Sequence, residues 1–292
     1  MDDPNLPNYP VSFIGRVKEL AQITSLLSSP VCRVLTLVGP GGIGKTRLAI
    51  EASRLSQNIY PHGVHFVSLQ PLNTADFIVP AIANSVRLQF DPGSNTREQL
   101  LNFFREKSLL LVLDNFEHLL GDVDIISEIL ASAPGVKILS TSRERLNLQE
   151  EWVLEVPGLS FPQDGNPIHM RDHEALQLFV QHARRARVGI EFSDTQMKAV
   201  AHICQLVGGM PLGIELAAAW VRTLSCEAIA DEILHSLDIL ETSARNVEPR
   251  HRTMRSAFKP TWDRLSGIEQ DSTHGCLDSC DHGIRERGAC AT

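Results

Sequence analysis

The sequence predicts an α/β fold in which a parallel sheet is flanked by helices and followed by a bundle of helices. Two observations predict it. Up to about residue 156, short apolar runs typical of buried strands alternate with amphipathic patterns typical of helices, as in an open parallel sheet covered on both faces. After Pro157 and Gly158 every pattern is helical, which places a domain boundary near residue 160.

Each strand is predicted from a short apolar, β-branched run, as expected for strands buried inside a parallel sheet. These runs cover residues 33–38, 63–69, 109–114, 136–141 and 152–156. Helices are predicted between them at residues 46–52, about 74–87, 96–107 with a cap at Ser94 or Asn95, and 122–133. The later helices are predicted at residues 172–186, 195–207, 211–223 and 226–236.

A glycine-rich loop joins the first strand to the helix that follows it. Residues 39–46 read Gly-Pro-Gly-Gly-Ile-Gly-Lys-Thr, a complete G-x-x-x-x-G-K-[ST] pattern. Glycines let backbone N–H groups surround phosphates, and the helix N-terminus adds partial positive charge. The alternative is a plain glycine turn, which the flanking strand and helix disfavour. The pattern predicts the P-loop NTPase form of the fold, with nucleotide contacts from Gly39, Gly41, Gly42, Ile43, Gly44, Lys45, Thr46 and Arg47.

Magnesium chemistry is predicted where the third strand ends. Lys45 is expected to reach the β- and γ-phosphates, and Thr46 to offer its hydroxyl to Mg²⁺. Asp114 ends a buried strand at the edge where the phosphate loop opens, and a carboxylate there can hold Mg²⁺ through water. The alternative is an acid that merely starts a loop. Lys45 and Asp114 are therefore predicted as catalytic, and Thr46 and Asp114 as the metal site.

The residue after Asp114 is Asn115, whose amide can orient water but cannot accept its proton. Glu117 could serve as the base only if the loop bends back, and otherwise it is a solvated loop charge. The missing acid predicts slow hydrolysis.

Arg143 follows Thr141 and Ser142 at the end of the fourth strand, beside Asp114 in a sheet of this type. A guanidinium there can contact the γ-phosphate through charge-assisted hydrogen bonds, which predicts a catalytic and nucleotide-sensing role for Arg143. The alternative is a surface arginine that pairs with Glu144 or Glu117.

Composition indicates a globular protein. The chain has 292 residues, is 43% hydrophobic, and carries a net charge of −8 with a pI near 5.8, which argues against non-specific nucleic-acid binding by this segment. It has neither a membrane-length apolar run nor a signal peptide, and Cys32, Cys204 and Cys226 are predicted to be buried thiols. A cytoplasmic location is therefore expected, without membrane partners.

Five segments in this order resemble the NB-ARC-type AP-ATPases of the STAND class, closest to the bacterial branch in transcriptional regulators and signalling ATPases. They are residues 13–16 (Phe-Ile-Gly-Arg), 39–46, 109–114, 141–143 and 209–212 (Gly-Met-Pro-Leu), and the resemblance covers about residues 11–265. It implies that Ile14, Gly15 and Arg16 lie near the adenine, that Pro211 contacts the base or ribose, and that Arg143 senses the γ-phosphate. It also implies a switch in which ADP holds a closed monomer and ATP permits opening and self-association.

The chain departs from that family near its end. Residues 250–256 and 261–265 resemble only the start of a winged-helix domain, and the pattern is lost from about residue 270. His274, Cys276, Cys280 and His282 do not have the spacing of a common zinc site, so a truncated or frame-shifted tail is favoured. The predicted organisation has five parts: an N-terminal linker (1–11), a P-loop nucleotide-binding domain (12–160), an ARC1-like helical domain (161–245), the start of an incomplete winged-helix domain (246–268), and a disordered or aberrant tail (269–292).

The sequence therefore predicts an ATP/ADP-binding switch module with slow Mg²⁺-dependent hydrolysis. Two alternatives stay open: an enzyme that hydrolyses ATP constitutively, and a truncated interaction fragment that still binds nucleotide.

Overall fold

Five parallel strands form a single sheet in the computed structural model, which describes residues 6–9, 11–163, 167–236, 239–241 and 252–254. The strands are β1 (Val34–Val38), β2 (Val64–Ser68), β3 (Leu109–Asp114), β4 (Val136–Ser142) and β5 (Glu151–Glu155). Their order across the sheet is β2-β3-β4-β1-β5. The predicted fold class is confirmed, because every strand pair is parallel and helices flank and follow the sheet.

Helices cover both faces of the sheet. They are α1 (Val17–Ser28), α2 (Lys45–Ser56), α3 (Ile78–Ser85), α4 (Thr96–Phe104) and α5 (Asp124–Ser132). Alternate residues of β3 point to opposite faces, as the two-residue period of a strand requires. Leu110 and Val112 join the core that contains α1 and α2, while Leu109, Leu111 and Leu113 join the core that contains α3, α4 and α5. This two-sided burial explains why β3 is apolar without interruption.

Strand order brings the chemically important strand ends together. β4 lies between β1 and β3, with Val38 of β1 opposite Ser142, and Leu113 of β3 opposite Ser140. The carboxyl ends of β1, β3 and β4 therefore share one edge, where ligands of open α/β sheets bind. The phosphate loop follows β1 at this edge.

Four further α-helices follow the sheet within the described residues: α6 (Glu174–Ala186), α7 (Asp194–Leu206), α8 (Pro211–Ala219) and α9 (Cys226–His235). Side-chain caps mark where several helices begin. Asn95 caps α4, Ser193 forms a capping box with Gln196 on α7, and Ser225 caps α9. The apolar faces of these later helices extend the core of α1 and α2, so the helical part packs on that side of the sheet.

Helix α1 is the main element that the sequence patterns do not predict. Only Ile23 and Leu27 of this helix are buried, and its N-cap, Arg16, makes no side-chain capping bond. The start of the helix therefore carries no capping signal, although Leu20, Ile23 and Leu27 recur at helical spacing. The predicted helix at 74–87 is shorter, with a 3-10 turn (Ala75–Phe77) leading into α3. Helix α8 is followed by another 3-10 turn (Trp220–Arg222).

Several predictions fall on parts of the chain that the structure does not describe. The winged-helix start at 246–268, apart from residues 252–254, and the tail at 269–292 with its cysteines and histidines lie outside the described residues. The domain boundaries stay predictions. Within the described ranges, the three cysteines are buried and free of disulfides, and none of the helices has the length and apolar character needed to cross a membrane.

Candidate functional site

A cleft of about 510 Å³ opens at the carboxyl edge of the sheet. Its walls come from the phosphate loop, the ends of β2, β3 and β4, the N-terminal segment, and helices α6 and α8. The predicted site residues that line it are Gly41, Gly42, Gly44, Lys45, Thr46, Arg47, Asp114, Arg143 and Pro211. Gly39, Ile43, Ile14, Gly15 and Arg16 do not line it.

The phosphate loop has the backbone that its glycines allow. Gly42 and Gly44 have φ angles of 81° and 93°, which a side chain would strain. A Cβ on Gly42 would also lie 2.8 Å from the Cβ of Leu212. Lys45 starts α2, and its Nζ donates to the carbonyl oxygens of Gly39 at 2.7 Å and Pro40 at 3.1 Å. The ammonium group therefore lies inside the loop, where it can approach phosphate oxygens.

Asp114 is the centre of a hydrogen-bond cluster beside the loop. The hydroxyls of Thr46 and Thr141 donate to its Oδ1 at 2.6 Å and 2.7 Å, and Asp114 is only 4% exposed. The cluster joins α2, β3 and β4 in one place. A hydroxyl and a carboxylate are hard oxygen ligands, and Mg²⁺ commonly uses one or two of these together with water and phosphate. The residues present therefore fit a magnesium ion.

Arg143 forms a buried ion pair with Glu117. Its Nε donates to Glu117 Oε1 at 3.0 Å, and each side chain is 9% exposed. Both residues line the cleft. The pairing with Glu117 was the alternative interpretation of Arg143 in the sequence, but the pair lies inside the cleft and not on the surface.

The loop after β3 bends back, which is the condition under which Glu117 can reach the cleft. Asn115 has a φ of 69° and its backbone N–H donates to Thr141 Oγ1 at 2.9 Å. Residues Phe116–His118 then form one 3-10 turn. Phe116 is fully buried, and His118 Nε2 lies 3.1 Å and 3.0 Å from the carbonyl oxygens of Leu69 and Leu72. These anchors on either side direct Glu117 into the cleft.

Arg16 holds the phosphate loop from behind. Its guanidinium donates to the carbonyl oxygen of Ile43 at 3.1 Å and pairs with Glu19 at 3.1 Å. Its backbone N–H donates to Glu174 Oε1 at 2.8 Å. Gly15 has a φ of 68°, and a Cβ there would lie 2.4 Å from the Glu174 carboxyl carbon. Gly15 and Arg16 thus connect the phosphate loop to α6.

The N-terminal segment forms part of the cleft wall, which the sequence patterns did not indicate. Arg47 donates to the carbonyl oxygen of Val11 at 2.7 Å and lies over the Tyr9 ring at 5.2 Å. Arg54, farther along α2, donates to the carbonyl oxygen of Pro7 at 2.7 Å. Pro7, Tyr9 and Val11 all line the cleft.

The loop before α8 reaches the phosphate loop from the helical side. Gly209 has a φ of 66°, and a Cβ there would lie 2.2 Å from the carbonyl oxygen of Leu159. This close approach explains the glycine. Leu212 N–H then donates to the carbonyl oxygen of Gly42 at 3.2 Å, and Pro211 begins α8 within the cleft.

His182 and Glu215 complete this side of the cleft, and no sequence motif pointed to them. His182 Nε2 lies 3.7 Å from Glu215 Oε1. Burial, together with the nearby charges of Arg185 and Arg47, lowers the pKa of His182 to about 4. Burial raises the pKa of Glu215, and the same two arginines partly oppose that rise. His182 is therefore neutral at pH 7.

Acidification is expected to destabilise the protein through His182. Its pKa falls from an ordinary value of 6.5 to about 4 on folding, so the unfolded chain takes up the proton first. Stability is then lost as the pH drops from 6.5 towards 4, and the loss reaches about 2 kcal/mol near pH 5. His182→Gln should remove this part of the pH dependence when urea unfolding is compared at about pH 7.5 and pH 5. His202→Gln, an exposed position on α7, is the control, and an unchanged pH dependence in His182→Gln would contradict the assignment.

The chain is similar in sequence to several known proteins. Residues 16–152 match the NB-ARC domain family. The chain is 34% identical over 239 residues to the "Putative HTH-type transcriptional regulator Rv0890c" of Mycobacterium tuberculosis, covering 82% of this chain and 26% of that protein. It is 25% identical over 246 residues to the regulatory protein AfsR of Streptomyces griseus, covering 78% of this chain and 23% of AfsR. The chain thus spans about a quarter of the length of both relatives.

A solved structure shows the same fold at low identity. Cdc6p of Pyrobaculum aerophilum superposes with a TM-score of 0.50 and 16% identity, covering 77% of this chain and 65% of that one.

Proposed function

Because the chain carries an NB-ARC domain at residues 16–152, we propose that it is an ATP/ADP-binding switch module of a STAND ATPase that regulates signalling or transcription. One observation carries the proposal. The hydroxyls of Thr46 and Thr141 converge on Asp114, in the same cleft as Lys45 and Arg143. Such a cleft would supply a cation for the phosphates, ligands for a magnesium ion and a second cation at the end of a neighbouring strand.

In this proposal, Lys45 and the glycine loop bind the β- and γ-phosphates, while Thr46 and Asp114 hold Mg²⁺. The ion would neutralise charge on the phosphates. Thr141 supports Asp114 by donating to the same oxygen that accepts from Thr46. That bond orients the carboxylate before any ligand arrives.

The nucleoside would lie against the helical side of the cleft. Pro211 supplies an apolar surface for the base or ribose, and Arg47 of α2 lines the same cleft. Ile14, Gly15 and Arg16 do not line the cleft. We assign them a supporting role near the base, because Arg16 joins the carbonyl oxygen of Ile43 to Glu174.

The switch would couple the cleft to the helical part of the chain. Pro211, Leu212, His182 and Glu215 belong to helices α6 and α8, while the phosphate contacts belong to the sheet. A ligand that touches both sides can bias how they are arranged. ATP-dependent self-association in the cytoplasm, without direct binding of this segment to nucleic acid or membrane, completes the proposal.

Turnover measurements test it against a constitutive enzyme. The purified protein should retain ATP or ADP and hydrolyse ATP at about 10⁻⁴–10⁻² s⁻¹, the range of unassisted switch NTPases. Copurifying nucleotide would be identified by chromatography, and the rate by phosphate release. A rate of several per second from the monomer would favour the constitutive enzyme, and failure to bind either nucleotide would overturn both.

A further inference from the structure

We propose that Glu117 is the base that accepts a proton from the attacking water in ATP hydrolysis, and that Arg143 masks it until a γ-phosphate arrives. The proposal rests on the function proposed above and assigns a catalytic residue and its control to the same site. Asn115, the residue after Asp114, cannot accept a proton. If the site hydrolyses ATP with a protein base, the carboxylate must come from elsewhere in the cleft.

The backbone after β3 brings Glu117 to that place. The positive φ of Asn115 turns the chain at once, and the N–H of Asn115 is held by Thr141 Oγ1, the hydroxyl that also donates to Asp114. The same side chain therefore positions the magnesium-site carboxylate and the turn that carries Glu117. An acid only three residues beyond Asp114 in such a turn lies in the cleft and not in solvent.

The turn is anchored at both neighbours of Glu117. Phe116 is fully buried in the core beneath the sheet. His118 Nε2 lies within 3.1 Å of two carbonyl oxygens, so this nitrogen carries the proton and donates. A solvated loop charge needs no such anchoring, whereas a base must be held in a fixed place.

In the structure, Arg143 forms an ion pair with the Glu117 carboxylate through Oε1. The 3.0 Å contact between two side chains that are each 9% exposed places both charges away from bulk water. A γ-phosphate carries more negative charge than a carboxylate and offers three oxygens to a guanidinium. Its arrival would draw Arg143 away from Glu117. One exchange of partners would then both report ATP and free the base.

In the resulting step, water attacks the γ-phosphate and Glu117 accepts its proton. A water oxygen forms a bond to the γ-phosphorus, and the bond from that phosphorus to the bridging oxygen breaks. The electron pair of the broken bond stays on the β-phosphate of ADP. One water proton passes to the Glu117 carboxylate, which later returns it to solvent, and inorganic phosphate leaves.

Glu117→Gln separates the two halves of the proposal, with Glu144→Gln as the matched control. Glu144 is exposed, lies next to Arg143 in the chain and does not line the cleft. Single-turnover hydrolysis at saturating ATP should fall at least about a hundredfold in Glu117→Gln, because general bases contribute about 10²–10⁴-fold. Calorimetry should show ATP binding about threefold to thirtyfold more tightly, because Arg143 loses its anionic partner, with ADP affinity unchanged.

The hydrolysis rate and the ATP affinity of Glu117→Gln can each contradict one part of the proposal. Hydrolysis within about threefold of wild type overturns the base assignment. ATP affinity that is unchanged or weaker overturns the masking by Arg143. If wild type binds no ATP at all, the proposed function fails, whereas normal binding and normal hydrolysis in Glu117→Gln overturn this inference alone.

A second variant guards against misfolding of the first. In Glu117→Ala, added formate should raise the single-turnover rate at least about tenfold, because it supplies a carboxylate to the space that the side chain leaves. The same formate should not change Glu144→Ala. No increase at formate concentrations that leave ATP affinity intact overturns the base assignment.

Discussion

Lys45→Ala is expected to lower the affinity for both ATP and ADP at least about a hundredfold, with or without magnesium. The Lys45 ammonium lies inside the phosphate loop, 2.7 Å from the carbonyl oxygen of Gly39, so it can meet phosphate oxygens directly. Charge-assisted hydrogen bonds contribute about 1.5–3 kcal/mol each, and two of them account for this loss. Calorimetry with magnesium and with EDTA measures it.

Asp114→Ala is expected to impair nucleotide binding in a different way from Lys45→Ala. Asp114 is expected to act through Mg²⁺, so its loss should mainly abolish the gain in ATP affinity on adding magnesium. Asp114 also accepts from Thr46 and Thr141, and alanine would leave both hydroxyls without this acceptor. Asp114→Asn is therefore the matched control, because its amide oxygen can still accept both bonds. Losses of equal size for Lys45→Ala and Asp114→Ala in EDTA would contradict the division of roles.

Arg143→Ala is expected to lower the affinity for ATP about tenfold to a hundredfold and to leave the affinity for ADP nearly unchanged. The two ligands differ by one phosphoryl group, so a switch must discriminate them through groups that touch it. Moving a two-state equilibrium from 1:99 to 99:1 requires about 5.5 kcal/mol of differential binding. Two to four charge-assisted bonds supply that, and Arg143 together with Lys45 can form them.

Because Arg143 is paired with Glu117, the variant Arg143→Ala needs controls for a loss of stability. Removing one partner leaves a buried carboxylate without its cation, which destabilises the folded chain. The double variant Arg143→Ala/Glu117→Gln removes that charge, and Arg145→Ala tests an exposed neighbouring arginine. If ATP and ADP lose affinity equally in Arg143→Ala, Arg143 is a structural residue and the γ-phosphate is sensed elsewhere.

Local patterns predicted the sheet well. Each of the five strands begins and ends within one residue of its predicted limits, because each is a short apolar run flanked by turn signals. The phosphate loop was found for a similar reason, since its chemistry requires a fixed spacing in one continuous segment. Helix α1 was not predicted although its apolar residues recur at helical spacing, and its start carries no side-chain cap.

The sequence by itself determined the fold class, the phosphate loop, and the placement of Asp114 and Arg143 at the ends of neighbouring strands. These follow from periodicity and from the rule that parallel strands end at one edge. Only the tertiary structure decided the state of the individual groups. It brought the N-terminal segment and His182 into the cleft, turned Arg16 away from it, and paired Glu117 with Arg143. Such contacts join residues that are far apart along the chain or depend on a single backbone turn, so no local pattern of residues encodes them.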